Sequence, residues 1–115
     1  MSNLDLYADL GEEFVELQTE FLTMSRQRVR ELLDLLDGAR AGVPDGPGGE
    51  EFRRIAHSLR GAGGSYGFDS ISEVAGRLEK AYIAGETSER LAALIESLEK
   101  VVEESESRHL ARIGG

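Results

Sequence analysis

Cysteine is absent from this 115-residue chain, so a disulfide framework and a thiolate metal site are both excluded, as suits a reducing cytosol. Histidine is scarce. His57 and His109 are the two present, and neither has a histidine or cysteine three or four residues away, so no metal site is expected. No apolar run is long enough to span a bilayer, and the opening residues Met1-Ser2-Asn3-Leu4-Asp5 lack the basic and apolar regions of a signal peptide. We therefore expect a soluble, cytoplasmic protein that does not engage membranes. Positive charge is also short: the formal net charge is −9, which argues against wholesale nucleic-acid binding, because phosphate backbones are held by a surplus of Lys and Arg. Any anion site must be a local basic patch. Runs of alternating β-branched residues bounded by turns are missing as well, so no sheet is expected.

What is present is helical periodicity. With 40% hydrophobic and 30% charged residues the composition is that of a globular chain, and its length suits one domain over residues 1–115. Over residues 14–36, Phe14, Leu17, Phe21, Met24, Leu32 and Leu35 recur at three- and four-residue spacing and predict a long amphipathic helix. A short helical extension over residues 4–10 is expected before it, with Ser2 as a cap and Gly11 as an interruption. Residues 42–49 hold four glycines and both prolines and read as a loop. Phe52, Ile55, Ala56, Leu59, Gly63 and Tyr66 then share one face of a second helix. Ser70 and Glu73 form an S-x-x-E capping box before the stripe Ile71, Val74, Ala75, Leu78, Ala81 and Tyr82, which ends near Gly85. Thr87 or Ser88 caps a fourth helix with the stripe Leu91, Leu94, Ile95, Leu98, Val101 and Val102, extending to His109. Four one-sided helices joined by short links bury their stripes against one another, so the expected fold is all-α: an antiparallel four-helix bundle with a short N-terminal extension.

His57 lies roughly 150° from the centre of the second helix's apolar stripe and should face solvent. A polar residue on a polar face needs no special explanation; its neighbours single it out. The helical wheel sets Arg53, Arg54, Arg60, Gly61 and Gly64 around it. Arginine matches phosphate oxygens through a fixed fork of donors and a permanent charge. Each interior helical glycine costs about 1 kcal/mol relative to alanine, so Gly61, Gly63 and Gly64 together forgo about 3 kcal/mol of propensity. Gly63 points inward, where a missing side chain admits a neighbouring helix. Gly61 and Gly64 leave the imidazole uncovered, as a docking partner's reactive group would require.

These residues resemble a known signature. His57-Ser58-Leu59-Arg60-Gly61-Ala62-Gly63-Gly64-Ser65-Tyr66-Gly67-Phe68 is similar to the H-x-L-K-G-x-[SA]-x-x-[LFY]-G pattern of histidine phosphotransfer (HPt) domains, and Leu78-Glu79 resembles the Leu-Glu pair of their next helix. Arg60 replaces the usual lysine, and Gly63 stands where serine or alanine is commoner. The resemblance implies an antiparallel bundle with the acceptor histidine in its second helix, here His57, and a phosphoryl carrier in a two-component phosphorelay. It implies no kinase activity, and exchange of phosphate with receiver-domain aspartates of response regulators or hybrid histidine kinases. Arg60 would then steady the phosphoryl group, and Arg53, Arg54, Gly61 and Gly64 would serve docking and access. No cofactor is expected in this chain; Mg²⁺ would be the partner receiver's. The resemblance and the lack of a fifth long apolar stripe point to a monomer.

Two rivals remain open at this point. Gly63-Gly64-Ser65-Tyr66-Gly67 formally fits the G-x-S-x-G elbow of serine hydrolases, but that motif needs a strand before it, and here a predicted helix precedes it. The stronger rival is a helical adaptor that binds a partner without being phosphorylated.

Overall fold

Local chemistry sets where each helix starts and stops. The computed structural model describes residues 3–40 and 42–114, with side-chain environments described from residue 11. Helix α1 spans Asn3–Asp37, α2 Gly46–Ser65, α3 Asp69–Ile83 and α4 Ser88–Gly114. The N-terminal extension is continuous with α1: Gly11 sits within the helix, where its low propensity costs only about 1 kcal/mol and 34 other residues carry the element. The proposed Ser2 cap lies outside the described residues.

The glycine- and proline-rich stretch yields half of its length to α2, which begins at Gly46 and not after residue 49. Pro47 falls in the first turn, where its missing N–H has no helical acceptor to lose and its fixed φ suits the helix. Gly49 is needed for space: a Cβ there would collide with the Tyr82 hydroxyl and lie 3.1 Å from the Pro44 carbonyl oxygen. Tyr82 Oη donates to that same carbonyl at 2.8 Å, tying α3 to the α1–α2 connection.

α2 runs past its three glycines to Ser65 and closes in a Schellman motif. Phe68 N–H donates to Gly63 O at 2.7 Å and Gly67 N–H to Gly64 O at 3.2 Å, with Gly67 at φ +84°. The chain therefore enters α3 at Asp69, two residues too early for the expected capping box. Phe68 is the N-cap and makes no side-chain cap bond, Ser72 Oγ donates to Arg60 O at 2.6 Å, and Glu73 pairs with Arg77. A second Schellman motif ends α3, through Glu86 N–H to Ala81 O and Gly85 N–H to Tyr82 O, both 3.1 Å. Thr87 caps α4 by accepting the Arg90 N–H at 3.2 Å.

Each helix packs against the next, α1 on α2, α2 on α3, α3 on α4, and α4 back on α1, which closes an antiparallel four-helix bundle. Its core gathers the predicted stripes: Phe52, Ile55, Ala56 and Leu59 of α2 meet Ile71, Ala75 and Leu78 of α3, with Leu91, Ile95 and Leu98 of α4 and Leu32 of α1, all at most 3% exposed. Phe14, Leu17 and Met24 of the α1 stripe stay 42–48% exposed, and Leu17 and Met24 border a groove between α1 and α2. No helix among the described residues is long and apolar enough to cross a membrane.

Candidate functional site

The α2 register that buries Ile55 and Ala56 turns His57 outward, and its side chain is 62% exposed. The ring is nevertheless held. His57 Nδ1 lies 2.9 Å from Glu79 Oε2, across the tightest helix pair of the bundle. Glu79 sits on the buried stripe of α3 and is only 5% exposed. Its other oxygen lies 3.1 Å from Arg60 Nη1 in an ion pair, so a buried carboxylate bridges the imidazole and the guanidinium one turn beyond it. A carboxylate only accepts, so Nδ1 is the donor and carries the ring proton. In the neutral ring Nε2 then keeps its lone pair. The chemistry this permits is attack by Nε2 on an incoming electrophile without a separate base.

Small residues make the arrangement possible. A Cβ at Gly63 would lie 2.9 Å from Ser72 N and 3.2 Å from Ser72 Cα, so this glycine lets α2 and α3 approach. Gly76 plays the same part for Arg60, whose Cδ would be 3.1 Å from a Cβ there; the arginine stem crosses α3 at this glycine to reach Glu79. Gly61 differs. A Cβ there would meet nothing within 4 Å, and one at Gly64 only the Ser72 hydroxyl at 3.6 Å. Nothing inside the molecule requires them to be glycine.

The three arginines of the expected patch separate into different roles. Arg60 is paired with Glu79. Arg54 is bound by Glu51 at 2.5 Å, and its pKa is raised above the ordinary guanidinium value by that hydrogen bond first and the Glu51 charge second. Arg53 has no carboxylate within 4 Å among the described residues and lines an open depression of about 560 Å³ together with His57, Glu79 and Tyr82. The positive patch is thus weaker than the wheel implies, because carboxylates on α2 and α3 meet two of its three members.

Glu79 is the residue that sequence reasoning underused. It entered as half of a familiar pair, while the local signal was a carboxylate at i+4 from Ala75 on an otherwise apolar stripe. Gly76 was missed and had no signal short of the fold. The hydrolase elbow fails on geometry: Ser65 is the last residue of a helix, no strand precedes it, and its hydroxyl donates to Gly61 O at 3.2 Å. His109 does line the end of α4; it is 4% exposed, with Nε2 2.8 Å from Thr19 Oγ1 and its ring edge-on to Phe68.

A four-helix bundle that holds one exposed imidazole in a fixed tautomer on its second helix is the form of a phosphoryl carrier. The chain matches the Hpt domain family over residues 16–111, which takes in α2 and α3 whole and most of α1 and α4, and it belongs to that family. Hpt domains are histidine phosphotransfer modules of two-component phosphorelays and interact with receiver domains. No curated protein and no solved structure gives a significant match to the chain.

Proposed function

We propose that His57 is the phosphoacceptor and that the protein relays a phosphoryl group between receiver-domain aspartates, or from a hybrid kinase to a response regulator. The observation that carries this reading is the His57–Glu79 bond on a side chain 62% exposed; in the neutral ring it assigns the proton to Nδ1 and leaves Nε2 the lone pair. In the forward step the Nε2 lone pair attacks phosphorus, the phosphorus–oxygen bond to the partner's aspartate breaks, and the carboxylate leaves with that electron pair. The ring proton stays on Nδ1. Positive charge builds on the imidazole as the bond forms, and Glu79 meets it directly. Return to a second receiver reverses these steps. Arg60 holds the Glu79 carboxylate with one nitrogen and presents the rest of its donor fork to the phosphoryl oxygens.

Arg53, Arg54, Gly61 and Gly64 form the docking and access surface, and the apolar groove between α1 and α2, lined by Leu17, Met24 and Ile55, adjoins it at Arg54. The catalytic Mg²⁺ belongs to the partner receiver, and the chain itself acts as a monomeric cytoplasmic carrier without kinase activity. With the histidine in an open depression, the phosphohistidine awaits the next receiver; hydrolysis is not its fate. Wild type and His57→Gln are to be incubated with a panel of phosphorylated receiver domains, following acid-labile, base-stable label. Label on wild type alone is expected. Its absence with every donor, in folded protein, would favour the adaptor.

A further inference from the structure

We infer that Arg53 is the side chain that binds the phosphoryl group once His57 carries it, and that this contact sets how far transfer runs towards the chain. The inference rests on His57 being the phosphoacceptor and gives Arg53 a part beyond docking.

Helix geometry puts Arg53 on the relevant side. Cα–Cβ bonds tilt towards the N-terminus of a helix, so a side chain lies over the turn before its own Cα. For His57 that turn holds Arg53, four residues back, at a spacing where Cβ atoms are about 5–6 Å apart. The open depression beside the histidine agrees with this direction. Gly49, Glu50, Arg53 and Arg54 line it from α2, all of them before His57, whereas Arg60, Gly61 and Gly64 on the turns after it do not. Its volume of about 560 Å³ leaves room for a phosphoryl group.

Charge pairing then singles out one arginine. Arg54 is held by Glu51 through two hydrogen bonds of 3.1 and 2.5 Å, and Arg60 Nη1 lies 3.1 Å from Glu79 Oε1. Both Glu79 oxygens are therefore engaged, one by Arg60 and one by His57. Arg53 is exposed and has no carboxylate within 4 Å among the described residues, so its fork of donors is uncommitted. Glu50, the remaining acid of the depression, stands seven residues before His57, about 10 Å along the helix axis, and Arg53 lies between them. A phosphoryl dianion on His57 thus finds an uncommitted guanidinium one turn away, and arginine–phosphate contacts are among the stronger charge-assisted pairs. Because the contact exists only in the phosphorylated chain, it stabilises that state alone.

The test compares wild type, Arg53→Gln and Arg53→Lys as full chains. Arg53 is exposed, so both variants keep the fold. Each is phosphorylated with phosphoramidate, and the ³¹P and arginine Nε–Hε NMR signals are followed with no partner present. On phosphorylation the Arg53 signal is expected to shift while that of Arg54 stays. The pH midpoint of the ³¹P signal should rise in Arg53→Gln, because loss of a neighbouring cation disfavours the dianion, and Arg53→Lys should restore it. The second readout is the equilibrium constant for reversible exchange with a receiver that transfers to wild type, which should fall about threefold in Arg53→Gln. A residue that only helps a receiver dock changes forward and reverse rates alike and leaves that constant where it was. An unmoved Arg53 signal, an unchanged ³¹P midpoint or an unchanged constant would overturn the inference while leaving His57 as the phosphoacceptor. No phosphate on His57 from phosphoramidate or from any receiver, in folded protein, would overturn both.

Discussion

Glu79 does at residue scale what an exposed histidine cannot do alone. A free imidazole exchanges its proton between two nitrogens, and half-committed tautomers leave the nucleophilic lone pair on the wrong atom part of the time. The 2.9 Å bond to a buried carboxylate removes that ambiguity. Glu79→Gln keeps the size but loses the charge, and its amide can also donate to Nδ1 and drive the proton to Nε2. We predict that transfer slows at least about tenfold while the fold persists, and that ring ¹⁵N shifts report a mixed tautomer; an unchanged rate with a mixed tautomer would separate Glu79 from the chemistry. The glycines divide in the same way. Gly63→Ala forces a Cβ onto the α3 backbone and should destabilise by about 1–3 kcal/mol. Gly61→Ala meets no neighbour and should stabilise by up to about 1 kcal/mol, yet slow transfer by obstructing a docked receiver. Denaturant melts and transfer rates on both variants check the two signs.

At the scale of elements, the links between helices are held by bonds that sequence periodicity does not encode. Tyr82→Phe removes the hydroxyl bond to Pro44 and should cost about 0.5–1.5 kcal/mol, with faster amide exchange concentrated in the segment following α1; uniform exchange across the bundle would show that this tie is not local. The number of helices and their buried stripes were legible in the sequence, because spacing at three and four residues directly expresses the face that packs. Helix ends were less so. α2 starts earlier than its glycine content suggests, since Pro47 suits a first turn and Gly49 is a packing requirement of Tyr82. The S-x-x-E box was a real pattern overruled by the Schellman turn at Gly67, which delivers the chain to α3 ahead of it. The outward direction of His57 was legible for the same reason as the core. The Glu79 and Arg60 contacts were not, because they cross between helices and depend on the close approach allowed at Gly63 and Gly76.

At the scale of the whole molecule, the protein is a slender bundle of about 60 × 23 × 19 Å, with His57 in an open depression on its side. On the proposed reading it supplies a nucleophile on a rigid strip and leaves the metal and the aspartate of phosphoryl transfer to the receiver that docks. An overall charge of −9, with Arg53, Arg54 and Arg60 grouped on the helix that carries His57, favours approach of a phosphorylated partner along that strip. The central claim is that the bundle fixes His57 so that phosphate arrives on one nitrogen. The most direct measurement is heteronuclear ³¹P–¹⁵N NMR on the phosphorylated chain, which distinguishes the two ring positions. Phosphate on Nε2 of His57, with the proton retained on Nδ1, is the predicted result; phosphate on Nδ1, or on any residue other than His57, would contradict it.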